Sequence, residues 1–331
     1  MNKQPLLSIC IATYNRADYI GETLDSIIPQ LDDDVEVVIA DGASTDNTEA
    51  VMKKYIDPRI RYIRLPVKGG VDQDYCKAVE LARGEFCWLF TDDDILRPGA
   101  IAAAKKAIRE GYGLIIINAE VRDKKVEAIL EHRRTVTNQN KTYAPNEMEQ
   151  LFVDTLNYIS FIGAIVIRRS IWLSREQKPY FGTEFVHIGV IFQKPLPEPA
   201  LLIAEPFIII RFGNAQWTSR SFHVWMFKWP KLVWSFDHIT HDAKKKICMR
   251  EPWRSIKVLF IQRCFGAYNK ASYNQFLSTV DANMLWRFCA WLIAICPQKI
   301  TFGLYYLYSR VRGPECRKAY DFCKKESESW S

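Results

Sequence analysis

Along residues 1–120, short apolar runs alternate with stretches whose apolar residues recur at helical spacing. "LLSICIAT" (6–13), "VEVVIA" (35–40), "IRYIRL" (60–65), "FCWLFT" (86–91) and "YGLIIIN" (112–118) read as strands. Between them "DYIGETLDSII", "TDNTEAVMKKYI", "DQDYCKAVELA" and "PGAIAAAKKAIREG" read as helices. The second would be capped by Thr45 or Asp46; the fourth opens on Pro98 and closes on Gly111. This alternation predicts an α/β fold, a mostly parallel sheet with helices on both faces. Ligands of such sheets sit at the carboxyl ends of the strands. The polar clusters "TYNR" (13–16), "DGASTD" (41–46) and "TDDD" (91–94) each follow a strand, so three strand ends are expected to meet at one crevice.

After residue 120 the pattern changes. "TNQNKTYAPNEME" (137–149) reads as a polar connection, "FIGAIVIRRS" (161–170) as a strand with a basic end, and "ALLIAEPFIIIRFG" (200–213) as a strand pair or one long strand. From Ser219 onward the reading is helical and rich in Trp, Tyr, Lys and Arg.

Composition sharpens this picture. A chain of 331 residues, 48% hydrophobic and 25% charged, can build a real core and is not a disordered protein. Its net charge of +7 is unevenly divided. Residues 1–120 carry 14 Lys/Arg against 20 Asp/Glu, and residues 121–331 carry 31 against 18, which points to an anionic partner for the second half. No basic stripe lies on a recognisable reading element, so nucleic acid is not the expected partner. The nine cysteines include no CxxC pair and lack metal-ligand spacing, as expected of reduced thiols in a cytosolic protein. "MNKQPLLSICIATYN" lacks a signal-peptide pattern. The uncharged runs at 155–167 and 288–296 fall short of the ~20 residues a membrane span needs, so no transmembrane helix is expected.

The chemistry concentrates in Asp92, Asp93 and Asp94. Three adjacent carboxylates at the end of an apolar strand suit a hard divalent cation, Mg²⁺ or Mn²⁺, which prefers carboxylate oxygens and bridges to phosphates. Their other reading is a solvated acidic loop or a helix cap ahead of Pro98.

Four segments in order, "SICIATYNR" (8–16), "VVIADGASTDNT" (37–48), "ARGEF" (82–86) and "LFTDDDIL" (89–96), resemble those of family 2 glycosyltransferases of the GT-A fold. The resemblance implies a donor site for a nucleotide diphosphate-sugar, with Thr13 and Tyr14 cradling base and ribose, and Asp41 accepting a hydrogen bond from a pyrimidine. Asn15 and Arg16 of the first loop and Gly70 belong to the same implied donor site. The aspartates would match the DxD-type motif that binds metal and diphosphate. Asp92 with Asp94 fits by spacing, and Asp93 with Asp94 fits by the "IL" that follows. The resemblance also divides the chain into a donor-binding half (1–120), an acceptor-binding half (121–215) and a helical region (216–331). One departure stands out: "GGVDQDYCKAV" (69–79) has Tyr75 and Cys76 where many relatives have Arg and Asn, and Lys68 and Lys77 read either as solvated helix or loop charges or as substitutes that serve the donor phosphates.

Inverting transfer needs a base for the acceptor hydroxyl. By resemblance this is an Asp or Glu about 90 residues after the aspartates, and Glu184 in "YFGTEFVHIGVIFQ" lies there without a second acidic neighbour. His187, one turn later, would support the base, help ligate the metal, or pack. In "FGNAQWTSRSFHVWMFKWPKLVWSF" (212–236), Phe222, Trp225, Met226 and Trp229 follow helical core spacing, while Trp217 and Arg220 are acceptor candidates. The tail "LWRFCAWLIAICPQKITFGLYYLYSRVRGPECRK" (285–318) suits either a helix pair on an anionic membrane surface or a packed hairpin. The wider pattern looks most like abequosyltransferase-type enzymes of bacterial O-antigen assembly. It implies a CDP-linked dideoxyhexose donor, a polyprenyl diphosphate-linked oligosaccharide acceptor and a cytoplasmic protein peripheral to the inner face of the membrane. The rival readings are a nucleotidyltransferase, whose Gly-rich basic loop is missing, and a non-catalytic glycan- or lipid-binding scaffold of the same fold.

Overall fold

A computed structural model describes residues 4–135, 137–214 and 220–312. It divides into two compact units, residues 1–212 with 236–247, and residues 213–235 with 248–331.

The first unit is built on one sheet. Its strands are β1 (Leu7–Thr13), β2 (Val35–Asp41), β3 (Ile60–Arg64), β4 (Phe86–Phe90), β5 (Ile95–Leu96), β6 (Leu114–Arg122), β7 (Ile129–Glu131), β8 (Lys141–Tyr143), β9 (Ile165–Arg168) and β10 (Ala200–Arg211). They lie in the order β3-β2-β1-β4-β9-β6-β10-β5, with β7 added to β6 and β8 to β10. The first four strands are mutually parallel, as expected. β9 enters antiparallel between β4 and β6, so the sheet is mixed. Every residue of β2 and β4 is buried, because both faces are covered. The donor-binding and acceptor-binding halves expected from the sequence thus share a single sheet, and residues 236–247 of the expected helical region return to it.

The helices are α1 (Ile20–Ile27), α2 (Thr48–Met52), α3 (Val71–Leu81), α4 (Ala100–Arg109), α5 (Met148–Ile159), α6 (Arg169–Leu173) and α7 (Val186–Phe192). α2 starts after the expected caps, yet the Asp46 carboxylate still accepts the Thr48 N–H at 2.9 Å. α5 lies outside the elements read from the pattern. Its buried Leu151, Phe152, Thr155, Leu156 and Ile159 hold a helical stripe that runs into the long uncharged stretch at 155–167, where periodicity fades. The segment 200–213 forms one long strand, whose register against β6 shifts between Ile203 and Ile208, around Pro206.

The second unit is helical, with a first helix (Ser221–His223 and Trp229–Trp234 flanking a wider π turn), then Ile256–Cys264, Met284–Ile295 and Gln298–Arg312. Phe222, Met226 and Trp229 are buried, as their spacing predicts, and Trp225 is half-buried. Phe222 stacks on Tyr268 with ring centroids 4.8 Å apart.

The "ARGEF" motif has a structural role. Ser8 Oγ accepts the Gly84 N–H at 2.8 Å and donates to Glu36, whose carboxylate also takes the Arg83 N–H at 2.7 Å. A Cβ on Gly84 would meet the Ser8 nitrogen at 2.7 Å and the Leu7 carbonyl carbon at 2.9 Å, both backbone atoms that cannot yield. Gly84→Ala is therefore expected to destabilise the first unit by about 1–3 kcal/mol. Urea unfolding monitors this, and an unchanged midpoint would contradict the close-packing argument.

Candidate active site

β2, β1 and β4 are neighbours pointing the same way, so the loops after them emerge side by side. Thr13 pairs with Asp41 in register, and Ile11 with Phe90. Two residues further on, Asp92 comes level with Thr13 and Asp41 at the sheet's rim. The three polar clusters are brought together by strand order alone.

The first loop is tied to the second. The Asn15 N–H donates to Ser44 Oγ at 2.9 Å, and Asn15 Oδ1 accepts the Thr45 N–H at 2.8 Å. The Arg16 N–H reaches Thr48 Oγ1 at 3.0 Å. Asp41 is fully buried, its carboxylate accepting the Ser44 N–H at 2.8 Å and the Tyr62 hydroxyl. Four non-glycine residues among those described have positive φ, and three lie in these loops or in the acceptor-side turn: Asn15 (54°), Ala43 (63°) and Glu184 (73°). Such backbone is held only where surrounding contacts demand it, and it clusters at functional sites.

Asp92 and Asp93 carry the charge of the site. The Arg16 guanidinium contacts both, 3.4 Å from Asp92 and 3.2 Å from Asp93. Burial, followed by the neighbouring Asp93 charge, pushes Asp92 up to about 7 against the pull of Arg16. The buried Thr13 hydroxyl lies near enough to favour the ionised Asp92 slightly, but makes no well-formed hydrogen bond to it or to any other group.

Asp94 points elsewhere. One of its oxygens accepts the Arg211 N–H at 2.8 Å, the other accepts the Thr91 hydroxyl, and its carbonyl takes the Thr23 hydroxyl at 2.9 Å. It braces the loop, whereas Asp92 and Asp93 face Arg16. Among the described residues no group of three or more His, Cys, Asp or Glu side chains is placed to hold a metal ion. Two hard carboxylates at the rim, already drawn to a guanidinium, fit a divalent cation whose remaining ligands come from a diphosphate and water.

α3 supplies what the motifs did not reveal. Gly70 (φ 89°) starts it, and Asp74 accepts the Gly69 N–H at 3.2 Å. A Cβ on Gly42 would meet Asp74 Oδ2 at 2.6 Å, so the glycine of "DG" lets Asp74 approach the end of β2. Burial raises Asp74 to about 6, opposed by the Gly69 N–H and the Lys68 charge. Lys68 lies over the Tyr14 ring, 3.5 Å from its centroid, whereas Lys77 pairs with Glu80 on an exposed face. Tyr75, at the expected arginine position, donates to the Phe90 carbonyl at 3.0 Å and supports the strand end beneath the aspartates.

Asp72, also on α3, accepts the N–H groups of Glu184 and Val186, each at 2.9 Å. This fastens the turn bearing Glu184 to the helix that borders the donor loops. Glu184 is half-buried. His187 is set in the core instead: it is 1% exposed, and its Nε2–H donates to the Ile159 carbonyl at 2.8 Å. Burial pushes it down to about 4, which keeps it neutral, and its contacts lie in the core. Arg220 is exposed in the second unit, and Trp217 lies outside the described residues.

Arg211, at the end of β10, locks the aspartate loop from behind. Its guanidinium donates to the carbonyls of Asp93 (2.9 Å) and Lys124 (2.8 Å) and pairs with Glu22. Only its position after an apolar strand marks it in the sequence. Arg211→Met leaves these acceptors without their donor. It is expected to cost about 2–4 kcal/mol of stability and to weaken nucleotide binding; calorimetric unfolding with wild-type values would contradict the bracing role.

Residues 8–173 match the model of glycosyl transferase family 2. The chain is 28% identical to abequosyltransferase RfbV of Salmonella typhimurium over 225 residues, 63% of this chain and 67% of the relative. It is 31% identical to the GalNAc(5)-diNAcBac-PP-undecaprenol beta-1,3-glucosyltransferase of Campylobacter jejuni over 117 residues, 34% of this chain and 38% of that one. In fold it resembles S. aureus TarS 1-349 in complex with UDP, with a TM-score of 0.53 and 16% identity over 82% of this chain and 75% of that fragment. The family match runs from the first strand to the helix after β9, half of the molecule and all three loops of the crevice. On that ground the chain belongs to glycosyl transferase family 2 and is a glycosyltransferase of GT-A architecture.

Proposed function

We propose that the protein moves a single sugar from a nucleoside diphosphate donor, CDP-abequose or a similar dideoxyhexose, to a polyprenyl diphosphate-linked oligosaccharide of O-antigen type. The transfer would take place at the inner face of the cytoplasmic membrane. The observation that carries this reading is the levelling of Thr13, Asp41 and Asp92 at one rim, with Arg16 across Asp92 and Asp93. The likeness to abequosyltransferase RfbV, which extends well past the shared donor motifs, supports the donor class.

Each residue then has a task. Each oxygen of Asp41 accepts one bond within the chain and has a second lone pair for an N–H of a pyrimidine. Tyr14 and Lys68 border the ribose and phosphates. Asp92 and Asp93 would hold a divalent cation, Mg²⁺ or Mn²⁺, whose charge would offset that of the diphosphate leaving group. Arg16 exchanges the aspartates for phosphate oxygens, which suit its planar fork equally well. Glu184 takes the proton of the acceptor hydroxyl as its oxygen attacks the anomeric carbon.

Hydrolysis screens with CDP-, UDP-, GDP- and dTDP-linked sugars are expected to single out a CDP-linked donor. With that donor, Glu184→Gln should retain nucleotide binding and lose transfer by about 10²-fold or more. Unaltered transfer in this variant would remove Glu184 as the base; a screen in which no nucleotide sugar is turned over would sink the donor assignment.

A further inference from the structure

The helix Met284–Ile295 packs Ala290, Ala294, Trp286 and Ile293 toward the protein and turns several other large apolar side chains to solvent. Ala290 and Ala294 are buried, whereas Met284, Leu285, Phe288 and Leu292 are 87%, 73%, 56% and 49% exposed. The helix Gln298–Arg312 repeats the pattern: Thr301 and Tyr305 face inward, and Ile300, Leu304 and Leu307 are each more than half exposed at i, i+4, i+7 spacing. These stripes are not core turned loose, because the inner faces are already anchored. The Tyr268 hydroxyl donates to the Ala290 carbonyl at 3.0 Å. Arg263 donates to the Cys296 carbonyl at 2.8 Å, and the Gln298 amide to the Cys264 carbonyl at 3.2 Å.

Exposed apolar stripes on two successive helices mark a docking surface, and charge identifies its occupant. From residue 282 to residue 314 the chain has no Asp or Glu, while Arg287, Lys299, Arg310 and Arg312 lie within it. Lys299 and Arg310 are exposed beside the stripes. A second copy docked face to face would oppose like charges with no carboxylate on the segment to offset them. An anionic bilayer supplies hydrocarbon for the stripes and phosphates for the cations. The helices do not form a single span: they bend by 103° at their junction, and 12 and 15 residues reach about 18 and 22 Å against ~30 Å of hydrocarbon.

We propose that Met284–Ile295 and Gln298–Arg312 lie flat in the headgroup layer of an anionic membrane, with Leu285, Phe288, Leu292 and Leu304 inserted and Lys299 and Arg310 on lipid phosphates. This gives the lipid-linked acceptor of the proposed function its location, and to that extent rests on that reading, but the docking itself needs no sugar donor.

The test is flotation of the full chain with phosphatidylethanolamine vesicles holding about 30% phosphatidylglycerol, beside vesicles of phosphatidylcholine alone. The wild type is expected to float with the anionic vesicles and to stay in solution with the neutral ones. Leu285→Glu with Leu304→Glu should lower partitioning at least about tenfold, and Lys299→Glu with Arg310→Glu should abolish the preference for phosphatidylglycerol. Both pairs should keep donor hydrolysis in solution, which reports folding and separates this proposal from the donor assignment. Should the glutamates unfold the unit, Leu285→Gln with Leu304→Gln at the same exposed positions replaces them. Wild type that fails to float overturns the proposal, as does a leucine variant that floats unchanged. So does a wild-type dimer in light scattering that the leucine changes dissolve, because a second copy would then cover the face.

Discussion

Asp92, buried, and Asp93, half-buried, are adjacent carboxylates just past the end of β4, and their mutual repulsion constrains the loops around them. In low dielectric two neighbouring carboxylates do not both ionise without a cation beside them. Arg16 supplies one within the chain, and the loops that hold it there, through Asn15, Ser44 and Thr48, are the same loops that line the crevice at the strand ends. Under the proposed function, donor binding would be an exchange of cations and anions around this pair of carboxylates. Arg211 and Asp94 keep that pair from relaxing backward, since they join the loop to the far end of β10.

α3 joins two parts of the crevice. Its first turn places Asp74 against the end of β2 and Asp72 against the turn that carries Glu184. Both carboxylates spend their hydrogen bonds on backbone N–H groups, which is why they are tolerated under burial that raises their affinity for protons.

The strands and the three polar clusters were legible in the sequence because they are local. Apolar runs, helical spacing and the residues after each strand need no knowledge of distant partners. What stayed hidden depends on contacts across more than one hundred residues. Arg211 N–H to Asp94, and Asp72 to Val186, join segments that no periodicity relates. His187 illustrates the reverse: a histidine one turn after a candidate base has an attractive spacing, but α7 is buried on every side and turns its ring to Ile159. The antiparallel insertion of β9 was also beyond reach, because a four-residue strand carries no mark of its direction. In the second unit the helical pattern was clear, yet only the structure distinguishes the inward residues from the outward ones.

The central claim is that Asp92 and Asp93 hold a cation that in turn holds a nucleoside diphosphate. Calorimetric titration of CDP into the protein with and without Mn²⁺ tests it most directly, in the wild type and in Asp92→Asn with Asp93→Asn. The account predicts CDP binding strengthened by Mn²⁺ in the wild type, with that strengthening lost in the variant. Equal affinity with and without Mn²⁺, or a variant that responds to the metal as the wild type does, would contradict it.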